Sequence, residues 1–444
     1  TFWGFIKFVS MRYHLATYGC QMNEYDSAMI AQMLARFGAV SVSSPENADV
    51  IIVNTCSVRE KAEETAIARI FQFKPVKQAN PDLKIIIVGC MAKNRGEELL
   101  KKLKFVDFIV GPDQYRKIPE LLELPKRKRL AFLDFDLEEN YVGESAKILT
   151  PFSTHITIQR GCNKRCSYCI VPYVRGPEKY RLSSDILREV NEAAAQGVSE
   201  IMLLGQTVNA YRDGNETFAS LLNRVSEIEG IKRIRFTSPH PRHYTQELLE
   251  VLTQNPKVCH HAHIPLQSGS NAILKKMRRQ HDMETYYGII DYLRSADPLY
   301  HISTDIICGF VGESEKDFEE TLEAVERVQF DTAFMFVYSP RRGTESFKET
   351  EILTEDEKKE RHTRLTEIQN AITLKRNKLM LGRTETLLVE RLSSRDSSEM
   401  MGKTDNFKKV IFKPEGNVKP GDYVKCKIDD IRGWTLRGTL ETNE

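Results

Sequence analysis

The chain has 444 residues, 41% of them hydrophobic, with 64 Lys and Arg against 62 Asp and Glu, for a formal net charge of +2. That length holds about three domains at roughly 150 residues each, and the apolar share suffices for ordinary cores. The balanced charge excludes a strongly basic, histone-like binder, although local basic runs remain, and no apolar run approaches the roughly 20 residues of a membrane helix. Nine cysteines, an odd number spread along the chain, argue against a disulfide framework and for a reducing, cytoplasmic compartment. The apolar opening FWGFIKFVS is too short and too poorly flanked for a signal peptide and reads as an extension ahead of Met11.

From Arg12 to about Leu124, strand and helix patterns alternate: RYHLATYG, helical YDSAMIAQMLARFG, ADVIIVNTC, a helix from Glu60 to about Phe73, KIIIVGC, and a charged helix near Glu97 to Lys104. Alternating βα units predict an α/β domain with a parallel sheet, here residues 11–125. Cys20 follows the first strand, Cys56 ends the second and Cys90 ends the third. Ligand crevices of parallel sheets lie beyond the carboxyl ends of the strands, so three thiols placed there would converge and can hold an iron-sulfur cluster. A lone cysteine there would be read as a small packed hydrophobe; three equivalent placements argue otherwise.

Residues 126–147 carry a basic run, Lys126 to Arg129, and the acidic stretch DFDLEENY, and read as a linker. From Phe152 to about Gln369 the alternation resumes over six strands: HITIQRGC, EIMLLGQ, RIRFTSP, HAHIPLQ, HISTDIICGF and TAFMFVYSP. Predicted helices intervene at Ser184–Gln196, Phe218–Ile228, Gln246–Leu252, Asn271–Met277 and Glu315–Val328. Six such units predict an open (βα)6 barrel over 148–378, with function on the loops at the strand C-termini.

The first of those loops, GCNKRCSYC, holds Cys162, Cys166 and Cys169 as C-x3-C-x2-C. Structural zinc sites bring two close pairs or histidines at matched spacing, and neither is present; His260, His261 and His263 lie far off in a strand-like segment. Three thiolates leave one iron of a [4Fe-4S] cluster open. This spacing resembles the radical S-adenosylmethionine enzymes, in which the cofactor chelates the open iron and is cleaved to a 5′-deoxyadenosyl radical. The basic runs Lys275–Arg279 and Arg341–Arg342 read as solvated surface.

After a long charged helix ending near Leu381, short strands (ETLLVERLS, KKVIFKP, GDYVKCKI, WTLRGTLE) predict a small all-β, OB-like barrel over 379–444. It carries 14 Lys and Arg against 11 Asp and Glu from Arg376 onward, and Phe407, Phe412, Tyr423 and Trp434 are equally suited to stacking on bases or filling a core. Cys259, Cys308 and Cys426 have no cluster partners in sequence and read as structural.

The segments TYGCQMNEYDS, NTCSVREKAEE, GCNKRCSYCIVPYVRG, LLGQTVNAYR, HIPLQSGS and YSPRRGTESF together resemble the methylthiotransferases, and within them the MiaB branch that acts on transfer RNA. The chain departs from the usual pattern at Val311 and Ser314, in GFVGES, and at Thr207, in GQTVN. The resemblance implies two [4Fe-4S] clusters, a radical one on Cys162, Cys166 and Cys169 and an auxiliary one on Cys20, Cys56 and Cys90. It further implies S-adenosylmethionine as methyl donor and radical source, and a C-terminal TRAM domain that docks the anticodon arm. The implied product is the 2-methylthio derivative of N6-isopentenyladenosine. Adenine C2 is a poor electrophile for a thiolate, which is why a radical step and a positioned sulfur are both needed. Tyr168, Gly205, Gln206, Ser238 and Asp305 are implied cofactor contacts. A reducing partner such as a flavodoxin or ferredoxin and a sulfur or iron-sulfur delivery protein are implied as well, with no membrane partner. Two other readings stay open: the same chemistry on threonylcarbamoyl adenosine or on a ribosomal-protein aspartate, and an iron-sulfur RNA-binding regulator without turnover.

Overall fold

A computed structural model describes residues 11–57, 60–124, 128–148 and 150–441, leaving aside the side chains of 60–62. The opening extension, Lys126 and Arg127 lie outside these residues. Within them the chain divides into two compact units: Thr1–Leu149, His155–Lys164 and Cys169–Glu189 form one, and Thr150–Thr154, Arg165–Tyr168 and Val190–Glu444 the other.

The first unit is built on a six-stranded parallel sheet. Its spatial order is Val40–Ser41, Arg12–Tyr18, Val50–Thr55, Lys84–Gly89, Phe108–Val110 and Leu130–Phe132. Val50–Thr55 and Lys84–Gly89 are buried along their whole length, so they read as continuous apolar runs rather than as alternation. The edge strand Leu130–Phe132 comes from the stretch that reads as a linker. Strand order reverses between Arg12–Tyr18 and Val50–Thr55, and a doubly wound sheet opens its ligand crevice at such a reversal. Helices Gln21–Arg36 and Cys90–Lys102 follow the first and fourth of the strands in chain order. The latter starts earlier than expected: the strand ends at Gly89, and Cys90 is the first helical residue rather than the last of the strand.

In the second unit, Glu200–Leu204 pairs in parallel with Arg233–Phe236. His261–His263, His301–Cys308 and Thr332–Val337 form a second parallel sheet. A parallel bridge from Ile234 to Val258 links the first sheet to the chain just ahead of the second, as in a partial barrel. The helix Met283–Ala296 was not foreseen; Asp282 caps it by accepting from Thr285 N at 2.8 Å, and Met283, Tyr286, Ile289, Ile290 and Leu293 form its buried stripe. Five antiparallel and parallel strands between Thr384 and Leu440 close a C-terminal barrel around Leu387, Val389, Met400, Val410, Phe412, Cys426, Ile428 and Leu436.

Candidate cluster sites

Cys20, Cys56 and Cys90 come together at the carboxyl end of the N-terminal sheet. Each sits one or two residues past a strand: after Tyr18, after Thr55 and after Gly89. Buried amides fix these strand ends. Asn23 Nδ2 donates to Asn54 Oδ1, and Asn54 Nδ2 donates to Asn23 O and Ser27 Oγ, all at 2.9 Å. The glycines before two of the cysteines are required by this packing. A Cβ on Gly19 would clash with Asn23 Oδ1, and one on Gly89 with Asn54 Oδ1, with Gly89 also at φ +96°.

Cys56 and Cys90 are buried, whereas Cys20 can be reached by solvent although protein crowds most of its sides. A hydrogen bond from Cys56, outweighing burial and helped by the nearby Arg175 guanidinium, pulls the Cys20 thiol down to about 6. Cys90 is raised by burial, which Arg175 opposes. Cys20 caps the helix Gln21–Arg36 and Cys90 opens Cys90–Lys102, so both sulfurs meet the positive end of a helix dipole.

Behind the cysteines lies a buried charge cluster. Arg175 Nε donates to Cys90 Sγ at 3.0 Å, and Arg175 Nη1 is 2.7 Å from Asp26 Oδ2. Arg160 Nη2 donates to Asp26 Oδ1 at 2.8 Å, and Tyr115 donates to Asp26 Oδ2 at 3.2 Å. Burial would raise the Asp26 carboxyl, but Arg175 and Arg160 hold it below the usual carboxylate range. Among the described residues no three His, Cys, Asp or Glu side chains are set to hold a single metal ion. A four-iron cluster, unlike a single ion, spaces its thiolates by its own width. Three thiols, one poised to ionise near neutrality, beside a buried arginine with a donor to spare, fit such an anionic iron-sulfur group.

The C-x3-C-x2-C loop is tied down at both ends. Cys162 N donates to Gly176 O at 3.0 Å, and Gly161, at φ +74°, could not carry a Cβ without meeting Pro177 O. Lys164 N donates to Cys162 Sγ at 3.4 Å. In the second unit, Ser167 N donates to Met277 O, Ser167 Oγ donates to Lys276 O, and Ser346 N donates to Ser167 O. Arg279 Nη1 donates to Cys166 Sγ at 3.6 Å, so this member of an apparently solvated basic run meets a cysteine of the C-x3-C-x2-C loop instead. Tyr168 packs with Ile273, Met277, Phe310, Val311 and Ile307, edge-on to Phe310.

Three of the expected cofactor contacts follow barrel strands, whereas Asp305 lies inside one. Gly205 and Gln206 follow Glu200–Leu204, and Ser238, at φ +58°, follows Arg233–Phe236. Val208 N donates to Ser238 O at 3.3 Å, so the two loops are neighbours. Asp305 lies within His301–Cys308, on the same sheet face as Ile307, with its carboxylate 3.3 Å from His263 Nε2. His263 Nδ1 and His261 Nε2 both contact Ser303 Oγ, so the histidines of CHHAHIPLQ line a polar ladder along the strands. Val311 is a buried core residue and Ser314 caps Glu315–Val328, so the two departures in GFVGES keep a clear packing or capping role. Cys259, Cys308 and Cys426 are buried, with thiols pushed up by burial, as structural residues would be.

Family models match residues 12–111 (Uncharacterized protein family UPF0004), 156–325 (Radical SAM superfamily) and 378–440 (TRAM domain). Over 433 residues the chain is 41% identical to a tRNA-2-methylthio-N(6)-dimethylallyladenosine synthase of Clostridium botulinum strain Hall, covering 96% of each chain. A protein of the same name from Moorella thermoacetica is 42% identical over 436 residues, 96% of this chain and 98% of the relative. The chain belongs to the radical SAM methylthiotransferase family. This methylthiotransferase is therefore an enzyme, and its family uses S-adenosylmethionine and an iron-sulfur cluster. Its fold is similar to the radical S-adenosylmethionine methyltransferase TsrM of Kitasatospora setae, with a TM-score of 0.54 at 11% identity over 74% of this chain and 75% of that one. Sequence reading of the methylthiotransferase named its six cysteines but missed Arg175, Asp26, Arg160 and Arg279. All four appear in the motifs YDSAM, TIQRGC, YVRG and KKMRR, yet only burial beside a thiol or a buried carboxylate gives them a role.

Proposed function

We propose that the enzyme methylthiolates C2 of N6-isopentenyladenosine next to the anticodon of transfer RNA. Two cysteine triads divide the work: Cys162, Cys166 and Cys169 hold the radical cluster, and Cys20, Cys56 and Cys90 hold an auxiliary one. When bound, the first cluster with S-adenosylmethionine supplies the radical, a second S-adenosylmethionine supplies the methyl group, and the auxiliary cluster carries the sulfur to be delivered. The single observation that carries the two-triad reading is the meeting of Cys20, Cys56 and Cys90 at the sheet's crevice beside Arg175. The similarity over 96% of the chain to relatives named for this product supports the substrate.

The chain's own residues bind and orient. Arg279 holds Cys166 and Gly176 holds the loop at Cys162, and Gly205, Gln206, Ser238, Asp305 and Tyr168 would contact the cofactor. We take 11–125 as the auxiliary-cluster domain, 126–147 as its extension, 148–378 as the radical core and 379–444 as the RNA-docking domain. Of the aromatics in that last domain, Phe412 fills its core, Phe407 stacks on His261 at 4.3 Å and Tyr423 lies under Arg233, whereas Trp434 is 56% exposed and is the one free to meet a base. The enzyme acts in the cytoplasm, with electrons from a flavodoxin or ferredoxin and sulfur from a delivery protein; no helix among the described residues is long and apolar enough to cross a membrane.

The test is anaerobic turnover of reconstituted enzyme on three substrates: isopentenyl-adenosine RNA, threonylcarbamoyl-adenosine RNA and a ribosomal-protein peptide. A methylthio gain by mass spectrometry on the first alone is expected. A gain on either of the others in its place would overturn the substrate.

A further inference from the structure

Arg175 lies six residues beyond the last cysteine of the C-x3-C-x2-C loop, yet in the first unit its guanidinium reaches a different cysteine, Cys90, across the crevice. The side chain is 3% exposed and Asp26, its anchor, is 0% exposed. Its three nitrogens have different tasks. Nε donates to Cys90 Sγ, Nη1 is ion-paired with Asp26 at 2.7 Å without a hydrogen-bond geometry, and Nη2 is buried with no hydrogen-bond partner among the described residues. The charges do not balance either. Arg175 and Arg160 are both buried cations, and Asp26 is the carboxylate they share. A buried cation without a counter-charge is unfavourable, so this pocket calls for an anion on the cysteine side. The planar fork of an arginine fixes where its free donor points, because Asp26 and Cys90 already set the plane.

We propose that Arg175 is a positioning residue that donates to the Cys90 sulfur and to a further sulfur of the auxiliary cluster, and thereby raises the reduction potential of that cluster. The proposal rests on the two-triad reading above. Its physical basis is that a reduced cluster carries one more negative charge than an oxidised one, so a fixed cation and N–H···S hydrogen bonds favour the reduced state. Arg279 stands at Cys166 in the second unit, so each triad has its own arginine on one of its sulfurs. Arg175 differs in being wholly buried and anchored by a buried carboxylate.

The measurement uses the full chain with Cys162, Cys166 and Cys169 all changed to Ala, so that the auxiliary triad alone can hold iron. Midpoint potentials are read by electron paramagnetic resonance at poised potentials, with iron content determined on the same samples. Arg175→Gln, which removes the charge, is expected to retain iron and shift the midpoint to a more negative potential. Arg175→Lys, which keeps charge but cannot serve Asp26 and Cys90 together, is expected to shift it in the same direction by less. An unchanged midpoint at full iron content in Arg175→Gln overturns the proposal. Should that variant lose iron, Arg175→Lys decides in the same way. Loss of iron from both with unchanged circular dichroism would make Arg175 a structural prop of the site and overturn its tuning role. Absence of iron from the background protein itself would instead contradict the two-triad reading.

Discussion

Of the six cysteines proposed to hold clusters, Cys20 has a thiol shifted toward ionisation near neutral pH. Its thiol is pulled down to about 6 while solvent still reaches it, so in metal-free protein it is mostly thiolate at pH 7. Alkylation of Cys20 followed by peptide mass spectrometry should rise through a midpoint near pH 6, where an ordinary thiol rises near about 8.5. A profile centred on the ordinary value would contradict the geometry of the triad. His301 gives the opposite kind of titration. It is buried, and burial lowers it to about 3. The unfolded chain therefore takes up this proton first: the stability is present in full above the ordinary value of about 6.5 and falls as pH drops from there toward 3. At pH 5 the loss is about 2 kcal/mol, and His301→Asn should flatten that part of the stability curve measured by denaturant unfolding. An identical slope in the variant would contradict it. At this scale the cysteines were legible because a thiol at a strand end or in a close triad has few other readings. The arginines were not, because an arginine in sequence looks solvated until its partner is known.

At the scale of elements, the strand Arg233–Phe236 shows how an alternating pattern can mislead. Ile234 and Phe236 point one way, and Arg233 and Arg235 the other, which reads as a half-solvated strand. All four residues are buried. Arg233 donates to Lys403 O and Thr386 O, and Arg235 donates to Asp405 O, Thr404 O and Glu200 Oε2, so the polar face meets the C-terminal barrel instead of water. The partners lie up to 170 residues away in sequence, beyond any local pattern. Arg235→Ala leaves Glu200 buried without its partner, and should cost roughly 3–5 kcal/mol in denaturant unfolding. A change below about 1 kcal/mol would show the pair to be incidental. The helix Glu355–Lys378 is a second case. Its inward stripe is Lys358, Arg361, Leu365, Gln369, Ile372 and Arg376, with Arg361 on Glu313 and Arg376 on Asp331. The helix Met283–Ala296, in contrast, carried both a cap and an apolar stripe and was legible but overlooked.

For the whole molecule, these contacts tie the TRAM domain to the strand Arg233–Phe236. Deleting residues 384–444 would strip four carbonyl acceptors from Arg233 and Arg235 and Lys408 from Asp331, so a truncated chain should unfold or aggregate rather than report RNA affinity. Trp434→Ala avoids this. It should leave stability within about 0.5 kcal/mol and weaken transfer-RNA binding by about 1–3 kcal/mol in a filter or fluorescence assay. Unchanged affinity would move the RNA surface elsewhere. The central claim, two triads with separate roles, is tested most directly by one anaerobic turnover experiment on protein with Cys20, Cys56 and Cys90 all changed to Ala, given S-adenosylmethionine, reductant and isopentenyl-adenosine RNA. The account predicts that 5′-deoxyadenosine is formed, because Cys162, Cys166 and Cys169 are intact, and that no 2-methylthio product appears. Methylthio product from that protein, or a complete loss of deoxyadenosine with the fold retained, would contradict it.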